Sequence, residues 1–419
     1  NDNFESDKRF IETVAELRMK KILLISNIYP TGNPQYGGTS VCHYFTCEWM
    51  RLGYDVRVIH FDSLFPKPYY WVGRAFNSLI QAKTGCVVNV DTSAVSQEYV
   101  IDGIPVLFVP LRKFIPHRMF SQKEMNKALG VVCEYLNKYS FIPDVVVGHF
   151  VLPQLQFLHM LKKRFPQVKT TMVIHSDGSN IKTVYGDRYK EYMDSVDVWG
   201  FRSVAFKKRF ESLYGIQKNE FLCYSGIPEK YIQPVSRTFK SGVTNFTFVG
   251  SLYKLKRIED TIRALNKSYG KEKFHFDIVG NGSEETNLKK LVSALGIKEK
   301  VVFHGKKTRD EALTIMEQSD CFIMVSAHEA FGLVYVEAMA KGCITVATAG
   351  QGIDGVIVDG KNGFLCVSQN VEELAKVINK IRNLPVPELN RISKNAMDTA
   401  AQLTNRKVAE MYINASLNC

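Results

Sequence analysis

Cys321-Phe-Ile-Met-Val-Ser-Ala-His-Glu-Ala-Phe-Gly-Leu-Val-Tyr-Val-Glu-Ala-Met-Ala-Lys-Gly342 decides how the chain is read. Its first five residues are apolar and partly β-branched, which predicts a buried strand over Cys321–Val325. Small and polar residues follow. Gly332 then opens a helical segment over Leu333–Lys341, and Gly342 ends it with the residue best suited to a left-handed stop. The first N–H groups of a helix have no partner within it, and the helix dipole adds partial positive charge, so such a start suits a phosphate. Glu329 stands just before the helix and Glu337 inside it, eight residues on. Amides for a diphosphate and flanking carboxylates for hydroxyls together suit a phosphorylated sugar.

The frame E-x-F-G-x-x-x-x-E-A-x-A-x-G, running from Glu329 to Gly342, resembles the E-x7-E signature of family 4 retaining glycosyltransferases. That resemblance implies the GT-B fold: an α/β protein of two Rossmann-like domains, with parallel sheets facing across a cleft and a C-terminal helix crossing back to the first domain. It covers about residues 20 to 418 and is strongest over Thr247–Phe364. The first, acceptor-side domain is expected over residues 20–233 with about 400–419 returning to it, and the second, donor-binding domain over 243–399.

Outward from the motif, the chain alternates as such a fold requires. Lys21–Ser26 reads as a continuous apolar strand, expected where helices cover both sheet faces. A glycine-rich loop, a helix from Thr39 or Ser40 to Leu52 and a strand at Val56–Phe61 complete a βαβ unit. Further strands are expected near Val106–Val109, Val145–Val147 and Thr171–Ile174. In the loop, Gly37 and Gly38 carry no side chain to obstruct a ligand, and the resemblance turns Gly38 toward the donor phosphate. His175 ends a buried strand, where ligands bind in open α/β sheets. The resemblance makes it a contact to the donor sugar, whereas His149 reads as cleft lining. Tyr224-Ser-Gly-Ile-Pro228 resembles the family's turn at the domain boundary. Helices are expected over Val371–Leu384 and Glu388–Leu417.

In the second domain the family usually has Gly-Arg-Leu followed by Lys, two cations that grip the donor diphosphate. Here Gly250 and Lys256 are kept, but Ser251 stands at the Arg position, and Arg257 is the expected substitute. Gly280, in Phe276-Asp-Ile-Val-Gly-Asn-Gly282, belongs to a turn that the resemblance places at the nucleotide. A dinucleotide fingerprint is excluded there, because its third glycine would fall on Glu285. By the same resemblance Glu329 holds sugar hydroxyls, Glu337 holds ribose hydroxyls, and the amides of Phe331, Gly332, Leu333 and Val334 hold phosphate and sugar. His175, Glu329 and Lys256 are the expected catalytic set. No metal ligand set is expected, since no D-x-D occurs, and no cofactor beyond a UDP- or GDP-linked sugar donor.

Composition bounds the rest. A chain of 419 residues with 45% hydrophobic and 23% charged residues suits two globular domains. No apolar run approaches the roughly 20 residues of a membrane span. Nine scattered cysteines without a C-x-x-C pair indicate neither a disulfide framework nor zinc, and point to a cytoplasmic setting. A net charge of +12 implies an anionic partner. No nucleic-acid module is present, so nucleic acid is not expected. Three stretches mix basic and aromatic residues: Phe61–Gly85, Leu111–Lys127 and Phe206–Phe210. They suit peripheral contact with an anionic membrane surface. Met19 is a candidate natural start, with residues 1–18 an added extension. The expected activity is transfer of a hexose-type sugar to a glycan or lipid-linked acceptor with retention. The alternatives are a sugar-nucleotide epimerase or a non-catalytic binding protein on the same fold.

Overall fold

The structure, a computed structural model, describes residues 19–31, 40–66, 95–114, 118–232 and 237–418. Gly38 and most of Phe61–Gly85 lie outside those residues. Two sheets organise the chain. The first has eight strands: β1 Lys21–Ser26, β2 Asp55–Leu64, β3 Gln97–Ile101, β4 Ile104–Arg112, β5 Val145–His149, β6 Lys169–Ile174, β7 Val198–Phe201 and β8 Glu220–Leu222. They lie in the order β3-β4-β2-β1-β5-β6-β7-β8. The second has six: β9 Asn245–Val249, β10 His275–Val279, β11 Val301–Gly305, β12 Cys321–Ile323, β13 Ile344–Thr348 and β14 Phe364–Cys366, in the order β11-β10-β9-β12-β13-β14.

All pairings are parallel except β3 with β4. That hairpin departs from the expected parallel sheet. Its turn, Asp102-Gly103, has positive φ at both residues (48° and 80°), as a tight hairpin requires. The outer strand β3 is largely exposed, so it lacks the apolar run that marks the inner strands.

In β1, Ile22 and Leu24 enter one apolar layer, Leu23 and Ile25 the other, which is why the strand is apolar throughout. The second layer joins β1 to Phe61, Phe157 and Trp199. The first runs through Phe45 and Trp49 of the helix Val41–Arg51 and continues into the second domain.

The helical pattern expected over Glu388–Leu417 is two helices, Val386–Ala400 and Asn405–Leu417. Thr404 makes the break: its side chain accepts the N–H of Lys407 and starts a new helix. Ile227 pairs with the same crossing, its N–H donating to Leu403 O at 2.9 Å and its carbonyl accepting from Asn405 N at 2.8 Å. The two passages between domains therefore run side by side. The last helix lies on the first domain, where Trp49 Nε1–H donates to Ala409 O at 2.9 Å and its ring meets Tyr412 edge-on at 5.0 Å.

The basic and aromatic stretches fare unequally. Phe206 and Phe210 are fully buried and Phe120 is 2% exposed, so these rings belong to the core and offer nothing to a membrane. Phe114 alone among the described aromatics of the three stretches stands out, 75% exposed. No helix among the described residues is long and apolar enough to cross a membrane.

Trp49→Ala is expected to lower the unfolding free energy by about 3–5 kcal/mol, measured by urea denaturation. It should also expose the segment after residue 400 to limited proteolysis. An intact terminal helix in that variant would contradict this packing.

Candidate active site

The loop after β12 ends at Gly332, which adopts φ 81° and begins the helix Leu333–Ala340. A Cβ at Gly332 would lie 2.5 Å from the Tyr335 ring, so geometry and space both require glycine. No side chain caps this helix, and the N–H groups of Gly332, Leu333 and Val334 find no acceptor among the described residues. Beside this mouth, Lys256 Nζ donates to Glu329 Oε2 at 2.6 Å. Both side chains are mostly shielded, at 24% and 16% exposed. Lys256 and Glu329, expected by resemblance to serve the diphosphate and the sugar separately, are brought together here.

Glu337 is buried one turn into the helix and is held by Arg309, at the start of the helix Arg309–Gln318. Arg309 was not among the expected residues. It follows Lys306 and Lys307 in a basic run after β11, which was the only signal for it. Arg257, the expected second cation, is turned the other way. Its guanidinium forks onto Asp260 at 2.8 and 2.9 Å and meets Glu259 at 2.9 Å, at the start of its own helix, Ile258–Tyr269. Gly250 and Gly280 serve close backbone packing, since a Cβ on Gly280 would lie 1.9 Å from Gly250 O.

Across the cleft, His175 follows β6 directly. Its ring stacks on Phe150 at 3.9 Å, and its Nε2 lies 3.0 Å from Nδ1 of His149. His149 Nε2 in turn lies 3.1 Å from the Tyr412 hydroxyl. Burial, then the charge of Arg202, push His149 down to about 3, and the same causes hold His175 well below the ordinary imidazole range. Both rings are therefore neutral near pH 7.

Arg202, also unforeseen, links the two halves. It is 3% exposed and donates to Cys223 O at 2.7 Å and to Ser225 Oγ. Its guanidinium lies 5.4 Å from the Phe331 ring centre, and Tyr224 stacks on the same ring at 5.5 Å. Across the same gap Arg209 donates to Gly350 O at 3.1 Å. A buried guanidinium without a carboxylate is costly unless other groups satisfy it. A carbonyl, a hydroxyl and an aromatic face do so here.

A separate cluster, His43, Cys47 and Asp102, places three ligating atoms within 4.8 Å of one another. Hydrogen bonds already join it: His43 Nε2 lies 2.8 Å from Asp102 Oδ2, and Nδ1 lies 3.0 Å from the Tyr29 hydroxyl.

Residues 232–399 match a family model described as glycosyl transferases group 1. An N-acetyl-alpha-D-glucosaminyl L-malate synthase of Bacillus anthracis is 31% identical over 166 residues, 39% of this chain and 42% of the relative. The match thus spans less than half of that relative's length. An uncharacterized glycosyltransferase of Methanocaldococcus jannaschii is 26% identical over 291 residues, 64% of this chain and 72% of the relative. Among solved structures, a lipopolysaccharide outer core galactosyltransferase superposes with TM-score 0.67 at 16% identity, covering 94% of this chain and 98% of that one. An Anabaena protein solved with UDP and glucose superposes with TM-score 0.61 at 18% identity, covering 96% and 100%. The architecture is thus the GT-B fold of these solved structures, and over residues 232–399 the chain is similar to the group 1 family.

His149 and His60, the latter lowered by burial to about 4, titrate near 6.5 once unfolded. Below pH 6.5 the unfolded chain binds protons that the folded chain refuses, so their contribution to stability is whole above pH 6.5 and shrinks as pH falls toward 4. Each is expected to remove up to about 1.4 kcal/mol per pH unit in that window. The urea midpoint should therefore drop between pH 6.5 and 4.5, and a constant midpoint would contradict the burial of neutral rings.

Proposed function

We propose that this chain, whose residues 232–399 form a group 1 glycosyltransferase domain, moves a hexose-type sugar from a UDP- or GDP-linked donor to a glycan or lipid-linked acceptor, with retention and formation of an α-glycosidic bond. The observation that carries this reading is the uncapped helix mouth at Gly332, with the Lys256–Glu329 pair beside it. A departing nucleoside diphosphate concentrates negative charge, and pre-aligned amides with one ammonium stabilise it without reorganisation.

In this structure Lys256 and Glu329 satisfy each other. On donor binding the stronger pull of a diphosphate turns Lys256 to phosphate and releases Glu329 to accept hydrogen bonds from sugar hydroxyls. Glu337, oriented by Arg309, takes the ribose hydroxyls. The backbone near Gly250 and Gly280 shapes the nucleotide side. His175 contacts the sugar from that domain. Arg257 stays with its own helix, so Lys256 and the amides carry the diphosphate charge without a metal ion.

The attacking hydroxyl approaches on the face the leaving group departs from, and the leaving phosphate oxygen takes its proton. A carboxylate acid and base pair, as in glycosidases, is then unnecessary. Contacts between the halves through Phe331, Tyr224 and Arg209 allow closure that excludes water from the reacting sugar. The exposed Phe114, with exposed Arg112 and Arg118 near it in sequence, fits an acceptor presented at an anionic membrane face.

A thermal-shift series over UDP, GDP, ADP and their common sugars identifies the donor, since a ligand bound to the native state raises the melting temperature. With that donor, Glu329→Ala is expected to lower kcat at least tenfold, whereas Glu337→Ala raises the donor KM with a smaller effect on kcat. Normal turnover by Glu329→Ala would remove it from the reaction. Absence of a shift with every nucleotide would overturn the reading.

A further inference from the structure

The chain of contacts behind His175 determines more than its position. Tyr412, on the terminal helix Asn405–Leu417, is 1% exposed, and its hydroxyl has one hydrogen-bond partner among the described residues, His149 Nε2 at 3.1 Å. A buried hydroxyl must place its proton somewhere, and this is the acceptor in reach. Tyr412 is therefore the donor. His149, fully buried and neutral, then carries its single proton on Nδ1, which faces His175 Nε2 at 3.0 Å. That nitrogen must accept, so the proton of neutral His175 sits on Nδ1. The reverse arrangement would have His149 donate to the Tyr412 oxygen and leave the phenol proton without an acceptor.

Two further features fix the ring. Phe150 holds φ 69°, a left-handed conformation costly for an aromatic residue, and its ring lies 3.9 Å from His175 at an interplanar angle of 20°. Such strain persists where the surroundings impose it, and here its product is a flat surface against the imidazole. Arg202, the charged group acting on both histidines, opposes a second proton on either ring. His175 is partly exposed, and its Nδ1 finds no acceptor among the described residues.

We propose that Tyr412 and His149 are positioning residues that hold His175 as its Nδ1–H tautomer, so that His175 meets the donor as a hydrogen-bond donor to a sugar oxygen and not as a base. This rests on reading His175 as the sugar-facing side chain of the first domain. No bond is made or broken by the chain of groups; it sets which nitrogen carries the proton before the substrate arrives. It also ties the site to the terminal helix, since that helix supplies the hydroxyl from which the order of protons starts.

The test is a two-bond proton–nitrogen correlation spectrum of 15N-histidine-labelled full-length protein at pH 7, with His175→Gln and His149→Gln spectra assigning the signals. The wild type is expected to show His175 protonated at Nδ1 and His149 protonated at Nδ1. Tyr412→Phe keeps the ring packing but removes the hydroxyl, and should convert His175 to a mixture of tautomers. Its kcat/KM, with the nucleotide sugar giving the largest thermal shift, should fall about five- to tenfold, the worth of one hydrogen bond. UDP affinity should be unchanged, which a general collapse of the site would not leave intact. His175 protonated at Nε2 in the wild type, or unchanged tautomers in Tyr412→Phe, overturns the proposal. If the tautomers behave as expected but His175→Gln turns over at the wild-type rate, the role in the reaction falls through the sugar-facing reading, and the proton order alone survives.

Discussion

A helix that starts without a cap leaves backbone N–H groups to be satisfied by whatever enters the space before it. At Gly332 this condition is built in twice: φ 81° excludes nearly every other residue, and the Tyr335 ring fills the space a side chain would need. The rest of the second domain holds this one turn in place. Tyr335 anchors the helix to the segment just past β12 by donating to Met324 O at 2.7 Å. Gly352 packs against Ala330 and Phe331 so tightly that a Cβ there would lie 2.3 Å from the Ala330 carbonyl carbon. Lys256 reaches the same mouth from the turn after β9. Unpaired amides and a cation cost stability in a protein interior, and here they lie where an anionic group can compensate them.

The first domain answers with a different device. Arg202 brings a full charge into the contact between the halves with no acid to balance it among the described residues, and that charge helps keep His149 and His175 neutral. The terminal helix crosses beside the Cys223–Ile227 passage and delivers Tyr412 beneath the same histidines. A single crossing therefore serves to join the domains and to order the protons of the site.

Much of this was legible in the sequence, and the parts that were not have physical reasons. The strand, glycine turn and helix of the central motif follow from periodicity and from the conformational freedom of glycine, both local properties. The assignment of Lys256 and Glu329 to one site came through family resemblance, although 73 residues separate them; their direct pairing did not. Arg309, Arg202 and Tyr412 were not, because each acts through a partner that only the fold brings near. Arg202 precedes the run Phe206 to Phe210, whose mixture of aromatic and basic residues resembled a surface; a helix period places the rings inside and the cations outside. Arg257 misled for the opposite reason. Its nearest acids, Glu259 and Asp260, are two and three residues away, and a local pair forms more readily than a distant one. The break at Ala401–Thr404 was hidden because both flanking helices share one apolar period, and a lone Thr cap is a weak signal.

The most direct test of the central claim is a crystal structure of the protein with UDP bound. The account requires the diphosphate to lie on the amides of Gly332, Leu333 and Val334 with the Lys256 ammonium on a phosphate oxygen and Glu329 released from it. A diphosphate bound elsewhere, with the Lys256–Glu329 pair intact, would contradict it.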